Sequence, residues 1–253
     1  NIINKLYSIR TKSNIITKNI DDKIGYIEIK QPSIKNMDKD REYILNYFKD
    51  LESKGYKALI IRMHANNSGD YYWMDNIISP NIDETKTMNI KTFIMDDMFY
   101  SYKDEYKDIK LMEEFDFNKY YNANKDDFKN FIGYLDSNIS ITPSLNQKAF
   151  SGDIYLLTDE SVYSSIESFA QFSKATGFAK LVGYNTGGDG YNGGTPMMSN
   201  LPNSGFIVFY RTGYGINEDG SSNVEYGTRP DFLIDKQKTP FQGCLERCFL
   251  FIY

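Results

Sequence analysis

The order of strand and helix patterns near the amino terminus constrains the fold more than any other feature of this sequence. Residues 23–30, KIGYIEIK, alternate apolar and polar side chains, which is typical of a β-strand. Residues 37–55 carry apolar side chains at helical spacing between an aspartate and a glycine that favour helix ends. Residues 57–63, KALIIRM, form a short apolar run that predicts a buried strand. A strand–helix–strand order of this kind indicates a parallel α/β sheet.

Further elements continue this pattern along the chain. Apolar runs predict strands at residues 90–95, 152–159 and 179–184, and apolar spacing after the second of these predicts a helix. Residues 197–216 predict two strands joined by the turn PNSG, and a short helix is expected at about 240–251. The sequence therefore predicts an α/β fold with a hairpin and a helix toward its carboxyl end.

The sequence also predicts how the chain is organised into domains. Residues 1–22 show no clear period and are interpreted as a tail or as the end of an upstream element. Residues 23–253 are expected to form one core domain. Within it, the stretch of about 98–148 is rich in Tyr, Lys, Asp and Asn, with helical patterns near 103–114 and 125–136. Because this stretch has too few apolar residues for a core of its own, we predict a helical insertion.

Composition excludes some classes of function. The chain has 253 residues, of which 41% are hydrophobic, and its net charge is −5, which argues against nucleic acid as the main partner. It has no run of about 18 apolar residues that could span a membrane. Cys244 and Cys248 are the only cysteines, and at a spacing of four they favour two buried thiols on one helix face rather than a zinc site.

A serine-rich turn between a predicted strand and helix is the strongest functional signal. Four hydroxyls stand close together there: Ser161, Ser164, Ser165 and Ser168. Such serines are often only helix caps. However, side chains at the carboxyl edge of an α/β sheet lie where sites form, and a serine there has helix N–H groups beside it. Ser164 could then act as a nucleophile, with the N–H of Ser165 as one oxyanion donor.

The motifs around this turn resemble one family. VYSSIESFAQFSKATGFAKLVGYNTGGDG, at residues 162–190, resembles the signature of the S41 serine peptidases, which include the C-terminal processing and tricorn-type proteases. Supporting matches are ALIIRMHANNSGD (58–70), LPNSGF (201–206) and VEYGTRPDF (224–232). The last has one residue fewer between Glu and Gly than the family pattern. The resemblance covers about residues 23–250.

The resemblance implies a fold and a set of roles. The fold would be a crotonase-like stack of strand–strand–helix units. Ser164 would be the nucleophile, Glu225 the acid that orients the base, and the backbone N–H groups of Ser165 and of Ser68 or Gly69 the oxyanion hole. The substrate would be a peptide or an unfolded protein, with no metal or cofactor. Relatives of this type are often exported, which favours an exported or cell-envelope location.

Three departures from the family pattern concern the catalytic base. Asp189 stands where the processing branch has its Lys, so the Ser–Lys dyad of that branch is excluded. The only histidine is His64, which replaces a family Arg, and Arg62 replaces a family Asp. The tricorn-type His lies upstream of the matched region. We therefore expect either a base upstream of this chain, with the chain alone inactive, or a non-catalytic S41-like domain that binds peptides or serves as a scaffold.

Some residues keep two interpretations. His64 could act as a base, since imidazole is the side chain most often used for this role, but a single His at a strand end is more often structural. Glu167 is interpreted as a first-turn acid that complements the helix dipole. Glu225 could equally be a solvated loop carboxylate. The sequence does not indicate an oligomeric state.

Overall fold

The computed structural model describes residues 14–32, 35, 37–64, 71–95, 108–191, 196–211, 213–235 and 237–252. Its α-helices are α1 (Met37–Ser53), α2 (Tyr71–Trp73), α3 (Ser165–Thr176), α4 (Asn223–Tyr226) and α5 (Pro240–Ile252). A π-helical turn (Met74–Ile78) and a 3-10 turn (Ser79–Asn81) continue α2, and further 3-10 turns span Met112–Glu114 and Lys125–Phe128. Its strands are β1 (Ile15–Asn19), β2 (Ile24–Ile29), β3 (Ala58–Met63), β4 (Lys86–Met95), β5 (Lys110–Leu111), β6 (Phe131–Ile141), β7 (Asp153–Thr158), β8 (Lys180–Gly183), β9 (Pro196–Asn200), β10 (Ile207–Arg211), β11 (Gly213–Gly215) and β12 (Phe232–Leu233).

The main sheet has the order β1-β2-β3-β7-β8-β12 among the described residues. All its neighbours run parallel except β1, which pairs antiparallel with β2. The predicted parallel α/β sheet is therefore confirmed. Residues 1–22, interpreted as a tail or as the end of an upstream element, include β1, which joins the sheet. As a half-exposed edge strand, β1 has a weak apolar period, and residues 1–13 lie outside the described part.

Both faces of the main sheet are covered, as strand alternation requires. On β3, Leu59 and Ile61 face a large core built with α1, α3 and the segment around Trp73. Ala58 and Ile60, at the alternate positions, face a smaller core against α5. The apolar run of β3 is thus explained by burial on both sides.

A second, antiparallel sheet has the order β11-β4-β6-β5. Two of its strands, β5 and β6, lie within the helical insertion predicted at about 98–148. Residues 96–107 lie outside the described part, but 131–141 form a strand where a helix at 125–136 was predicted, so that prediction is wrong. Aromatic residues of this region make a cluster of their own: Phe93, Phe115, Tyr120, Phe128 and Tyr134. Pairing with the long strand β4 outweighed the local helical pattern.

The predictions for the carboxyl-terminal part are confirmed. β9 and β10 form a two-stranded antiparallel hairpin across the PNSG turn, and α5 follows at residues 240–252. Cys244 and Cys248 are fully buried free thiols on α5. No helix in the described part of the chain is both long enough and apolar enough to cross a bilayer.

Candidate active site

The serine-rich turn lies at the carboxyl edge of the parallel sheet, between β7 and α3. Asp159 begins the turn: its Oδ1 accepts hydrogen bonds from the N–H and the hydroxyl of Ser161. The Ser168 hydroxyl points back to the carbonyl of Ser164 at 3.4 Å, and Ser165 is buried. Three of the four hydroxyls therefore have local structural surroundings, which leaves Ser164.

Ser164 does not act as the side-chain cap of α3. Its residue occupies the N-cap position with φ 58° and ψ −128°, and its side chain makes no capping hydrogen bond. Ser222 shows the contrast, because at the start of α4 its side chain accepts a hydrogen bond from the Glu225 N–H. A positive φ at a non-glycine residue costs about 1–3 kcal/mol and concentrates at functional sites. Ser164 is half-buried.

A loop from β8 holds Ser164 in this conformation. The Ser164 N–H donates to the carbonyl of Gly188 at 3.1 Å, and the Gly187 N–H donates to the carbonyl of Val162 at 2.7 Å. Tyr163 and Gly188 form an isolated parallel β-bridge. These contacts hold Ser164 and the two residues before it, so the strained backbone is supported by tertiary contacts.

Asp189, next to Gly188, is the residue that the resemblance matches to the processing-branch lysine. It has a φ of 67°, and its carboxylate forms an ion pair with Arg211 of β10, with a distance of 2.7 Å from Oδ2 to the guanidinium. A carboxylate held in this way is not a replacement for a lysine base. The exclusion of a Ser–Lys dyad rests on this residue identity.

Glu167, in the first turn of α3, lies in a buried polar network that the sequence did not reveal. Its Oε1 accepts hydrogen bonds of 2.6 Å from Asn223 Nδ2 and from the Thr228 hydroxyl. Glu167 is an acid in the first turn of α3, as interpreted, and its carboxylate is fully buried. Asn223 and Thr228 are more than 50 positions away in sequence, and no local pattern could have connected them to Glu167.

Burial raises the pKa of Glu167. The hydroxyls of Thr186 and Thr228, the Asn223 amide and the Gly188 N–H oppose this shift but do not cancel it. Neither Thr186 nor Gly188 makes a well-aligned hydrogen bond to Oε2, which has no such partner in the described residues. The carboxyl group of Glu167 therefore keeps its proton to a higher pH than an exposed glutamate does.

Glu225 projects from α4, which packs on the same loop. The carbonyl of Asn223 lies 2.3 Å from the place where a Cβ on Gly188 would stand, so the close approach requires glycine there. The Glu225 side chain is exposed, and its backbone N–H donates to the Ser222 hydroxyl. The structure therefore brings α4 to the loop that contacts Ser164 and leaves the Glu225 carboxylate open to solvent.

His64 lies at the end of β3, near the same sheet edge. Its Nε2 is 2.8 Å from Glu28 Oε1 at the end of β2. Burial alone would raise the pKa of Glu28, but hydrogen bonds from His64 and Tyr26 and the charge of Arg62 lower it below its usual value. Arg62 also pairs with Asp159, at 3.3 Å. The predicted oxyanion residues Ser68 and Gly69 lie outside the described residues.

Comparison with protein families places this arrangement in a class. A profile of peptidase family S41 matches residues 23–234, which is most of the chain. The chain therefore belongs to peptidase family S41, a family of serine-type proteases. No match to a curated protein was found by sequence comparison.

Solved structures share the fold at low identity. A provisionally described peptidase from Parabacteroides merdae aligns with a TM-score of 0.60 at 16% identity, over 96% of this chain and 68% of that one. Mature CPAF in complex with lactacystin aligns with a TM-score of 0.55 at 17% identity, over 90% of this chain and 50% of that one. The photosystem II D1 C-terminal processing protease aligns with a TM-score of 0.53 at 12% identity, over 93% of this chain and 52% of that one. The chain spans about half the length of the last two proteins.

Proposed function

We propose that this chain is the core of a serine-type peptidase that cleaves peptide bonds through an acyl-enzyme on Ser164. Two observations support this assignment: the family of the chain, and the strained backbone of Ser164 at the start of α3. The mixed sheet with helices on both faces is consistent with a crotonase-like core. The substrate class we propose is a peptide or an unfolded protein.

The chemistry proceeds in two steps. Ser164 Oγ attacks the peptide carbonyl carbon while a general base takes the hydroxyl proton, giving a tetrahedral oxyanion. The N–H of Ser165, in the first turn of α3, and an N–H of Ser68 or Gly69 would bind that oxyanion. The base then returns the proton to the departing amine. Water, activated by the same base, hydrolyses the ester and restores Ser164.

The general base is the least defined part of this proposal. No side chain in the described residues makes a hydrogen bond to Ser164 Oγ, and Asp189 is paired with Arg211. We therefore place the base upstream of this chain and assign Glu225 to orient it. His64 stays the candidate within the chain, although Glu28 occupies its Nε2.

The backbone of Ser164 is the observation that carries the proposal. It can be tested by hydrolysis of internally quenched fluorogenic peptides, using the full-length protein. We expect Ser164→Ala to reduce kcat/KM by at least about 10⁴-fold, because a nucleophile is removed. Ser165→Ala is the matched control and should keep most of the activity, since its backbone N–H is unchanged.

A His64→Gln variant in the same assay tests where the base lies. With an upstream base, we expect a loss of less than about 10-fold, because His64 then only supports Glu28. A loss as large as that of Ser164→Ala would show that His64 is the base. If the unaltered protein neither hydrolyses peptides nor reacts at Ser164, the non-catalytic alternative replaces the peptidase proposal.

A further inference from the structure

The β9–β10 hairpin has two faces of different composition, which follow from its register. Phe209 pairs with Met198, and Ile207 pairs with Asn200. Because side chains alternate along a strand, Ile207, Phe209 and Arg211 point to one face of the hairpin and Val208 and Tyr210 to the other. We call the first of these the Arg211 face.

The Arg211 face is strongly exposed and apolar. Phe209 is 72% exposed, Met198 61% and Ile207 55%, whereas Val208 and Tyr210 on the opposite face are 39% and 37% exposed. Among the described residues, β9 and β10 pair only with each other. Three large apolar side chains so open to solvent, side by side, are unusual unless they bind something.

The Arg211 face leads to the proposed nucleophile. Arg211, at its end, forms the ion pair with Asp189. Asp189 follows Gly188, whose carbonyl accepts the N–H of Ser164 at 3.1 Å. Two direct contacts and one peptide bond thus connect the apolar face to the Ser164 backbone. This continuity favours a substrate over an unrelated partner.

We propose that the Arg211 face binds an extended apolar segment of the substrate, beside the bond that Ser164 would attack. An extended peptide places alternate side chains on one side, at the same repeat as Ile207 and Phe209. The bound segment would therefore carry apolar residues at every second position. This inference rests on the proposed peptidase function, but it concerns binding and can be tested without catalysis.

The test uses Ser164→Ala protein and two fluorescein-labelled 12-residue peptides, measured by fluorescence anisotropy. One peptide alternates Val and Thr, and in the other Ser replaces each Val. We expect the Val–Thr peptide to bind at least about tenfold more tightly than the Ser–Thr peptide. Adding Ile207→Ser and Phe209→Ser together should remove at least about tenfold of that affinity, because both contacts are lost.

The opposite face supplies the matched control. Val208→Ser with Tyr210→Ser makes the same kind of change on the same strand and should leave peptide affinity within about twofold. Equal losses from both pairs, or no preference for the Val–Thr peptide, would overturn the proposal. So would a dimer, seen by sedimentation velocity, that only Ile207→Ser with Phe209→Ser dissociates, since the face would then bind a second copy. Peptide binding without hydrolysis by the unaltered protein would retain this inference and reject only the peptidase function.

Discussion

Ser164 has a backbone conformation that glycine adopts more easily than serine. With φ 58° and ψ −128°, it lies in a region that is open to a residue without Cβ. The Gly188 and Val162 contacts maintain this conformation, so the cost is borne by the fold. A strained residue kept at an accessible sheet edge is what a nucleophile needs and what a simple helix cap does not.

We therefore expect Ser164→Gly to increase the free energy of unfolding, by about 1 kcal/mol. Release of about 1–3 kcal/mol of strain exceeds the added entropy of a glycine in the unfolded chain, about 0.4–1 kcal/mol. Urea unfolding measures it. Ser165→Gly is the control, and it should destabilise because that residue is helical and buried. A destabilised Ser164→Gly variant would contradict the claim of strain.

Glu167 should make stability depend on pH. Its folded pKa is raised by burial, so the group contributes fully below its unfolded pKa of about 4.3. That contribution is lost as pH rises through the unfolded pKa towards the folded one, because only the unfolded chain then releases the proton. Glu167→Gln keeps an Oε1 acceptor for Asn223 and Thr228 and removes the ionisation.

The expected result is a stability difference that grows with pH. Relative to the unaltered chain, Glu167→Gln should gain stability as pH rises above the unfolded pKa of about 4.3, measured by urea unfolding at a series of pH values. Other carboxyl groups contribute equally to both proteins and cancel in the difference. A difference that is constant over these pH values, or that falls as pH rises, would show that burial does not raise the pKa of Glu167.

At the scale of elements, the sequence predicted what depends on local pattern. β2, α1, β3, β7 and the helix after Ser164 were recognised because burial imposes a clear period on each. β6 was missed for the opposite reason. Its apolar residues also fit helical spacing, and only pairing with β4, some 45 positions upstream, makes it a strand.

The candidate site also has features that local sequence predicts and features that it does not. Ser164 could be found because a strand end, a turn and a helix start are adjacent in sequence. The buried partners of Glu167 could not, because Asn223 and Thr228 meet it only after α4 packs on the loop at Gly188. The roles of Ser68 and Gly69 stay predictions, since these residues lie outside the described part.

Helix α5 carries a further prediction. Cys244 and Cys248 lie one turn apart and face the core formed with β2, β3 and β7, as their spacing predicted. The pKa of the Cys244 thiol is raised mainly by a hydrogen bond with Cys248 and to a smaller extent by burial. Both thiols should therefore resist Ellman's reagent at pH 8 until the protein is unfolded.

The same helix provides the positive control for this measurement. Leu250 is 72% exposed, so Leu250→Cys should add one thiol that reacts with Ellman's reagent as fast as an exposed cysteine does. Rapid reaction of two thiols in the folded, unaltered chain would contradict the packing of α5 against the sheet.

At the scale of the whole molecule, the elements converge on one edge. The carboxyl ends of β3 and β7, the start of α3, the loop after β8 and the helix α4 meet around Ser164, and the exposed hairpin joins them through Arg211. The chain belongs to peptidase family S41, and for this reason we propose that the peptidase site lies at this edge. The central claim is that Ser164 is an activated nucleophile.

Fluorophosphonate labelling tests that claim most directly, in the full-length protein, because only an activated serine reacts readily with this reagent. The adduct would be located by mass spectrometry of proteolytic peptides. We predict one phosphonylated residue, Ser164, with labelling lost in Ser164→Ala and kept in Ser165→Ala. An adduct on Ser165, or no adduct on either serine under conditions that label a known serine peptidase, would contradict the account.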